Sequence, residues 1–279
     1  MLKRMLALAA GAVALMGMQA PGAPPPAGRP EMALWRLDCG EARIGNLDMF
    51  SDIFAYVGRS KTLTASCYLI RHGDRYLLWD TGFPGSLAGS TTGDESFRII
   101  MRTRLTDQLA RIGVRPEQVT FLGISHYHDD HTGQAADFPR ATLLIGAADW
   151  DVVRGRPETA ARFGPWIEGQ SRVEPQAGDH DVFGDGSVIM LNTPGHTPGH
   201  HSLLVRLPRT GPVLLTGDLY HFTENFESGG VPGFNTNRAD TLASMARFRE
   251  IARNLRARIV IQHEPADIAK LPAFPEAAR

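Results

Sequence analysis

Residues His126-Tyr127-His128-Asp129-Asp130-His131 form an H-x-H-x-D-H run directly after the apolar stretch from Val119 to Ile124. Imidazole and carboxylate are ligands that zinc and its neighbours favour, and the four fixed positions of the run, His126, His128, Asp130 and His131, carry them within six residues. In an extended or turning segment, residues two apart point the same way, so His126 and His128 can share one ion. Asp130 and His131 lie one step further on, placed to hold a second ion beside the first. The other reading is a polar loop that happens to be rich in histidine. The chain has only ten His, and three of them stand here.

Three later residues have the same character. His196 sits in the Pro/Gly-braced turn Thr193-Pro194-Gly195-His196-Thr197-Pro198-Gly199-His200, Asp218 ends the apolar run Leu214-Leu215-Thr216-Gly217-Asp218, and His263 follows Ile259-Val260-Ile261-Gln262. Together the seven are five His and two Asp, enough for two adjacent ions. Each lies just past the C-terminal end of an expected strand, where a rigid scaffold can carry reactive loops.

Periodicity predicts strands at Leu34–Leu37, Thr64–Arg71, Tyr76–Asp80, Val119–Ile124, Ala141–Ile145, Val188–Leu191, Ser202–Val205, Val213–Thr216 and Arg258–Ile261. It predicts helices over Phe97–Ile112, Ala147–Arg154 and about Arg238–Arg256, the last with a core face of Leu242, Met245, Phe248, Ile251 and Leu255. Strict βαβ alternation is absent. The order fits an α/β sandwich of two mixed sheets flanked by helices.

At 279 residues, 43% hydrophobic and 21% charged, the chain can bury a substantial core. Its net charge is −1 and no Lys/Arg run occurs, which argues against a nucleic-acid partner. Lys3 and Arg4 before an apolar run from Met5 to Met18 read as a signal peptide over residues 1–20, followed by a Pro/Gly/Ala-rich linker over 21–31. The run is short for a span, so no stable membrane partner is expected. A single domain over 32–279, periplasmic or secreted, is the expectation. An oxidising compartment would permit a bridge between the two Cys, Cys39 and Cys67, but two buried free thiols are the favoured reading.

The ordered signatures S-H-x-H-x-D-H-x-G, T-P-G-H-T-x-G-H, T-G-D and a late His resemble the metallo-β-lactamase superfamily, over roughly Leu34 to Pro265. Within it, Cys67–Arg71, Leu78–Gly82, Gly217–Phe222, Val231–Asn235 and Thr241–Met245 are most similar to the N-acyl-homoserine-lactone lactonases (quorum-quenching enzymes). The resemblance implies a four-layer αββα sandwich. It implies that His126, His128 and His196 hold one zinc, that Asp130, His131 and His263 hold another, and that Asp218 bridges both alongside a hydroxide. That hydroxide would open a lactone or related ester, with Asp130 passing the proton to the leaving alkoxide and Tyr220 as oxyanion donor or substrate clamp. Tyr220 also reads as a packed aromatic. Manganese, iron or cobalt could replace zinc. A homodimer is compatible with the family.

The remaining polar residues are assigned more modest places. His200, His201 and His221 are expected beside the ligands or on the surface rather than on a metal, and His72 and His180 in solvent. Asp80 reads either as a carboxylate orienting a metal-bound His or as a turn cap. Asp129 has no assigned role. Loops around Phe83, Phe222 to Phe234 and the helix starting near Phe97 are expected to wall the pocket. Competing activities are a periplasmic metallo-β-lactamase and a glyoxalase II-like thioesterase. The former tends to carry Cys or Ser in place of Asp218, and the latter needs a basic patch not evident after His263. The non-enzyme alternative is a zinc-binding protein, but the ligand set leaves room for water and substrate.

Overall fold

The computed structural model describes residues 30–279. The signal peptide and nearly all of the linker expected from the sequence lie outside the described residues. The first sheet holds eight strands: β1 (Met32–Ile44), β2 (Lys61–His72), β3 (Arg75–Trp79), β4 (Ser90–Gly93), β5 (Phe97–Met101), β6 (Val119–Ile124), β7 (Thr142–Gly146) and β8 (Val173–Gln176). Their spatial order is β4-β5-β1-β2-β3-β6-β7-β8, antiparallel as far as β3 and parallel from β3 to β8. The second sheet holds β9 (His180–Asp181), β10 (Val188–Asn192), β11 (His201–Leu207), β12 (Gly211–Leu215) and β13 (Arg258–Val260), ordered β13-β12-β11-β10-β9. Only its β12–β13 pair is parallel. Helices α1 (Leu105–Arg111), α2 (Asp129–Thr132), α3 (Ala147–Arg154), α4 (Ala160–Ile167), α5 (Thr223–Ser228) and α6 (Arg238–Leu255) complete the chain.

Alternation along the strands sorts the apolar side chains into three layers of core. Tyr68, Ile70, Leu77 and Trp79 of the first sheet pack against Val188, Met190, Leu203, Val205 and Leu215 of the second. Their neighbours Cys67, Leu69 and Leu78 point the other way, onto Leu105 and Leu109 of α1, Val153 of α3 and Phe163 of α4. On the far side, Leu204 and Leu214 meet Met245, Phe248 and Ala252 of α6. Helix, sheet, sheet, helix is the expected four-layer sandwich of mixed sheets.

Three expectations about elements are corrected. Phe97–Ile112 is not one helix: Phe97–Met101 is β5, and only Leu105–Arg111 is helical. The open edge of β1 offers its backbone groups to this segment, with Glu41 opposite Ile100 and Ile44 opposite Phe97, and β-branched Ile99 and Ile100 suit a strand. Helix α6 has its expected bounds, but its buried face is Thr241, Ser244, Met245, Phe248 and Ala252, leaving Leu242 exposed. Cys39 and Cys67 are buried as expected, but joined as a disulfide rather than free. Pairing of β1 with β2 sets Leu37 opposite Cys67, and the bulge between Asp38 and Glu41 carries Cys39 alongside. Their Cα atoms are then 5.9 Å apart, within bridging range.

Candidate metal centre

The apolar strands β6, β10, β12 and β13 each end in a segment that presents one or more of the seven ligand candidates. After β6, Ser125 to His128 turns into α2, a single helical turn in which the His131 N–H and the Thr132 hydroxyl both donate to the His128 carbonyl. Asp130 and His131 ride on that turn. His196 lies in the turn joining β10 to β11. Asp218 occupies a tight turn after β12, where Gly217 takes φ +54 and a side chain would meet His200 Nε2 at 2.6 Å. Glycine is required there both by conformation and by space. His263 follows β13.

These seven residues converge in two groups. His126 Nε2, His128 Nδ1 and His196 Nε2 are mutually 2.9 to 3.1 Å apart. Three imidazole nitrogens that close form one face of a coordination sphere, since bonds of about 2.0–2.1 Å to a tetrahedral ion place ligands about 3.3 Å apart. The second group is Asp130, His131 and His263, with Asp130 Oδ2 at 3.8 and 3.7 Å from the Nε2 atoms of the two histidines. Asp218 stands between the groups. Its Oδ1 is 3.1 Å from His131 Nε2 and 3.0 Å from His263 Nε2, while its Oδ2 is 3.4 Å from His196 Nε2 and 3.7 Å from His126 Nε2.

The far side of each ring tells which nitrogen is free to ligate. His263 Nδ1 donates to the Thr64 carbonyl at 2.7 Å, His196 Nδ1 to Asn235 Oδ1 at 2.9 Å, and His131 Nδ1 to Asp80 Oδ2 at 2.9 Å. In a neutral ring each bond favours the tautomer whose Nε2 carries a lone pair toward the centre; in His131 and His263 the neighbouring carboxylates favour a proton on Nε2, which a bound cation would displace. His131 Nε2 is buried and, although 3.1 Å from Asp218 Oδ1, makes no well-aligned hydrogen bond, an arrangement that a cation between the two would satisfy. Asp80 also accepts from the Ser125 N–H and hydroxyl, so of its two expected roles it takes the one that orients a histidine.

Burial holds His126 and His196 well below the ordinary imidazole pKa, and the crowd of neighbouring rings pushes the same way. Burial also lowers His128. Such rings are neutral at physiological pH, as metal ligation requires. Burial opposes charge on His131 too, but Asp218, Asp130 and Asp80 outweigh it and hold the ring well above its usual value; Asp218 and Asp130 likewise raise His263. For Asp218, burial alone would favour the acid, yet His263, His131, His221 and His126 keep it well below the carboxylate range. An ionised carboxylate buried among imidazoles is a cavity shaped for positive charge.

Tyr220, the expected clamp, is corrected by its surroundings. It is fully buried with Phe226 and Phe248, and its hydroxyl donates to the Met245 carbonyl at 3.3 Å, so it is a packed aromatic on the helix side of the sheet. The next residue, His221, faces the centre instead, with Nε2 at 3.2 Å from Asp218 Oδ2 and its ring against His196 and His263. His200 is buried and not solvent-facing: its Nδ1 donates to the Thr193 carbonyl and its Nε2 accepts the Asp218 N–H, steadying the bridge residue. His201 is buried between the Gly199 and Gly178 carbonyls. His72, expected in solvent, is buried instead, paired with Asp185 and stacked on Phe183 across the two sheets. His180 is half-buried on β9. Asp129 pairs with Arg162 on the surface.

A cavity of about 350 Å³ opens onto the cluster, reaching His128, Asp130, Asp218, His221 and His263 at its floor. Its walls are apolar: Ile44, Leu63, Phe50, Phe83, Ile99, Phe97 and Phe234. Phe97 reaches it from β5, while Phe222 is buried behind Phe50 and Tyr56. A polar floor under an apolar wall suits a ligand with a reactive head and a hydrocarbon tail.

Fold, ligand order and cluster geometry define a class. A model of the metallo-beta-lactamase superfamily matches residues 61–263, and the chain belongs to that superfamily, whose members bind divalent metal ions. Its relatives narrow the class further. The N-acyl homoserine lactonase AttM of Rhizobium johnstonii is 32% identical over 224 residues, 75% of this chain and 85% of its own. An N-acyl homoserine lactonase of Bacillus cereus is 30% identical over 229 residues, 78% and 88% of the two chains. A crystal structure of a quorum-quenching N-acyl homoserine lactone hydrolase matches with a TM-score of 0.76 at 25% identity, over 90% of this chain and 99% of that one.

Proposed function

We propose that this chain is a metal-dependent hydrolase that opens the ring of N-acyl homoserine lactones or closely related lactones. The observation that carries the reading is Asp218, whose two carboxylate oxygens each face one of two complete ligand groups. His126, His128 and His196 would hold one ion, Asp130, His131 and His263 the other, and Asp218 both. Zinc suits this donor set, and manganese, iron or cobalt are compatible with it. When bound, divalent ions supply Lewis acidity at an ester carbonyl and make water a usable nucleophile near neutral pH.

The chain's own residues do the rest. Asp130 is half-buried at the cavity floor, where its carboxylate can take a proton and pass it to the departing ring oxygen. His221 borders the same floor and can offer a ring N–H to the substrate's polar head. The apolar wall receives the acyl chain and keeps water from the reacting ester. Among the described residues no Lys or Arg lines the cavity, which disfavours an anionic thioester such as a glutathione conjugate. Among relatives of this fold, an N-acyl homoserine lactone hydrolase has been solved with N-hexanoyl-L-homoserine bound at its catalytic metal centre, at a TM-score of 0.74 and 25% identity.

Export to the periplasm or beyond belongs to the same reading. The charged-then-apolar N-terminus and the buried Cys39–Cys67 disulfide both support it. The activity is tested by assaying metal-loaded protein on hexanoyl- and decanoyl-homoserine lactones, an acyl thioester and a β-lactam. Ring opening of the lactones as the preferred reaction, lost with chelator and restored with zinc, is the expected result. Brisk β-lactam cleavage without lactone turnover would contradict it.

A further inference from the structure

Asp149 has no place in the ligand set, yet it is fully buried and its carboxylate reaches both loops of the three-histidine group. Its Oδ2 accepts the Thr197 hydroxyl at 2.7 Å, one residue after His196, and its Oδ1 accepts the Gly199 N–H at 2.6 Å. The Tyr127 backbone N–H, between His126 and His128, lies near enough to favour the charged carboxylate, without the short, aligned hydrogen bond that Thr197 and Gly199 make. Packing leaves no slack around this clamp. A Cβ on Gly199 would lie 2.6 Å from the Asp149 backbone nitrogen, and one on Gly146 would lie 1.9 Å from the Gly199 carbonyl oxygen. Asp149 makes no direct contact with Asp130, His131 or His263; the rings of the two histidines have their own anchors in Asp80 and the Thr64 carbonyl, although Asp130 and His131 follow His128 on the same turn.

We propose that Asp149 is a positioning residue for one metal site only, holding the His126/His128 loop and the His196 turn in register so that their three nitrogens converge. The inference rests on the two-ion reading of the preceding section. Asp149 touches no ligand ring; it acts through the backbone on either side of the ligands, as Asp80 acts through the ring of His131. Removing such a support typically weakens metal affinity 10–100-fold, about that range here for the three-histidine site.

The test is a titration of metal-free protein with zinc, resolving the two dissociation constants, with His196→Ala and His263→Ala marking which constant belongs to which site. Asp149→Ala is expected to weaken the three-histidine site about 10–100-fold and leave the other within about threefold. Asp149→Asn, which keeps the shape and an accepting oxygen, should recover most of that loss. Should Asp149→Ala fold poorly, Thr197→Val removes one arm of the clamp alone and should weaken the same site in the same sense. Two ions in the wild type with both constants unchanged in the variants, or both weakened equally, would overturn the inference alone. A wild type that binds fewer than two ions would overturn the two-site reading and this inference with it.

Discussion

Two buried carboxylates in this protein meet opposite fates because of what surrounds them. Asp218 is ringed by imidazoles and stays ionised, whereas Asp149 has only hydroxyl and amide donors. Burial therefore pushes Asp149 up to about 6, with the Thr197 hydroxyl and the Gly199 and Tyr127 N–H groups partly opposing the rise. The sign of the stability effect follows directly. A folded-state pKa above the unfolded value of about 3.9 means that the folded form binds this proton more tightly, so the contribution of Asp149 to stability falls as pH rises from about 4 through 6. The difference approaches about 3 kcal/mol if the shift is fully expressed. Denaturant titrations at pH 4.5 and 7 should show a flatter pH dependence for Asp149→Asn than for the wild type, and parallel curves would contradict this account.

At the scale of elements, apolar runs that deliver ligands were legible in advance because hydrophobicity and motif agree. Strand β6 ends at Ile124 and the histidine run begins two residues later; the spans of α3 and α6 were legible too, although the buried face of α6 is turned from the expected one toward Thr241, Ser244 and Ala252. Three features were not legible, each for a physical reason. The helix-like spacing around Phe97 competes with an edge strand, and that edge exists only after β1 is placed. The pairing of Cys39 with Cys67 depends on a register and a bulge that no composition encodes. Whether Tyr220 or His221 faces the metals depends on a turn in which Asp218 itself departs from helical backbone, at φ −93 and ψ 20. A one-residue error of phase there exchanges a core aromatic for a site residue. The disulfide closes a span of 28 residues between β1 and β2, so chain-entropy reasoning gives it about 3–4 kcal/mol. Replacing both cysteines with alanine should lower the unfolding free energy by roughly that amount. An unchanged midpoint and slope would show that β1 and β2 hold without it.

On the whole-molecule scale, the site belongs to neither sheet alone. His126, His128, Asp130 and His131 leave the first sheet through β6, while His196, Asp218 and His263 leave the second through β10, β12 and β13. Packing of Tyr68, Trp79 and Leu77 against Met190, Leu203 and Leu215 is what brings the two halves of the ligand set together. Asp218 is where they join, so the metal content of an Asp218→Ala variant tests the account most directly. The wild type should carry two ions per chain and open homoserine lactones. The variant should carry at most one, with activity reduced by about a thousandfold or more, the scale expected when electrostatic support for the transition state is lost. Two ions per chain and undiminished lactone hydrolysis in Asp218→Ala would contradict it.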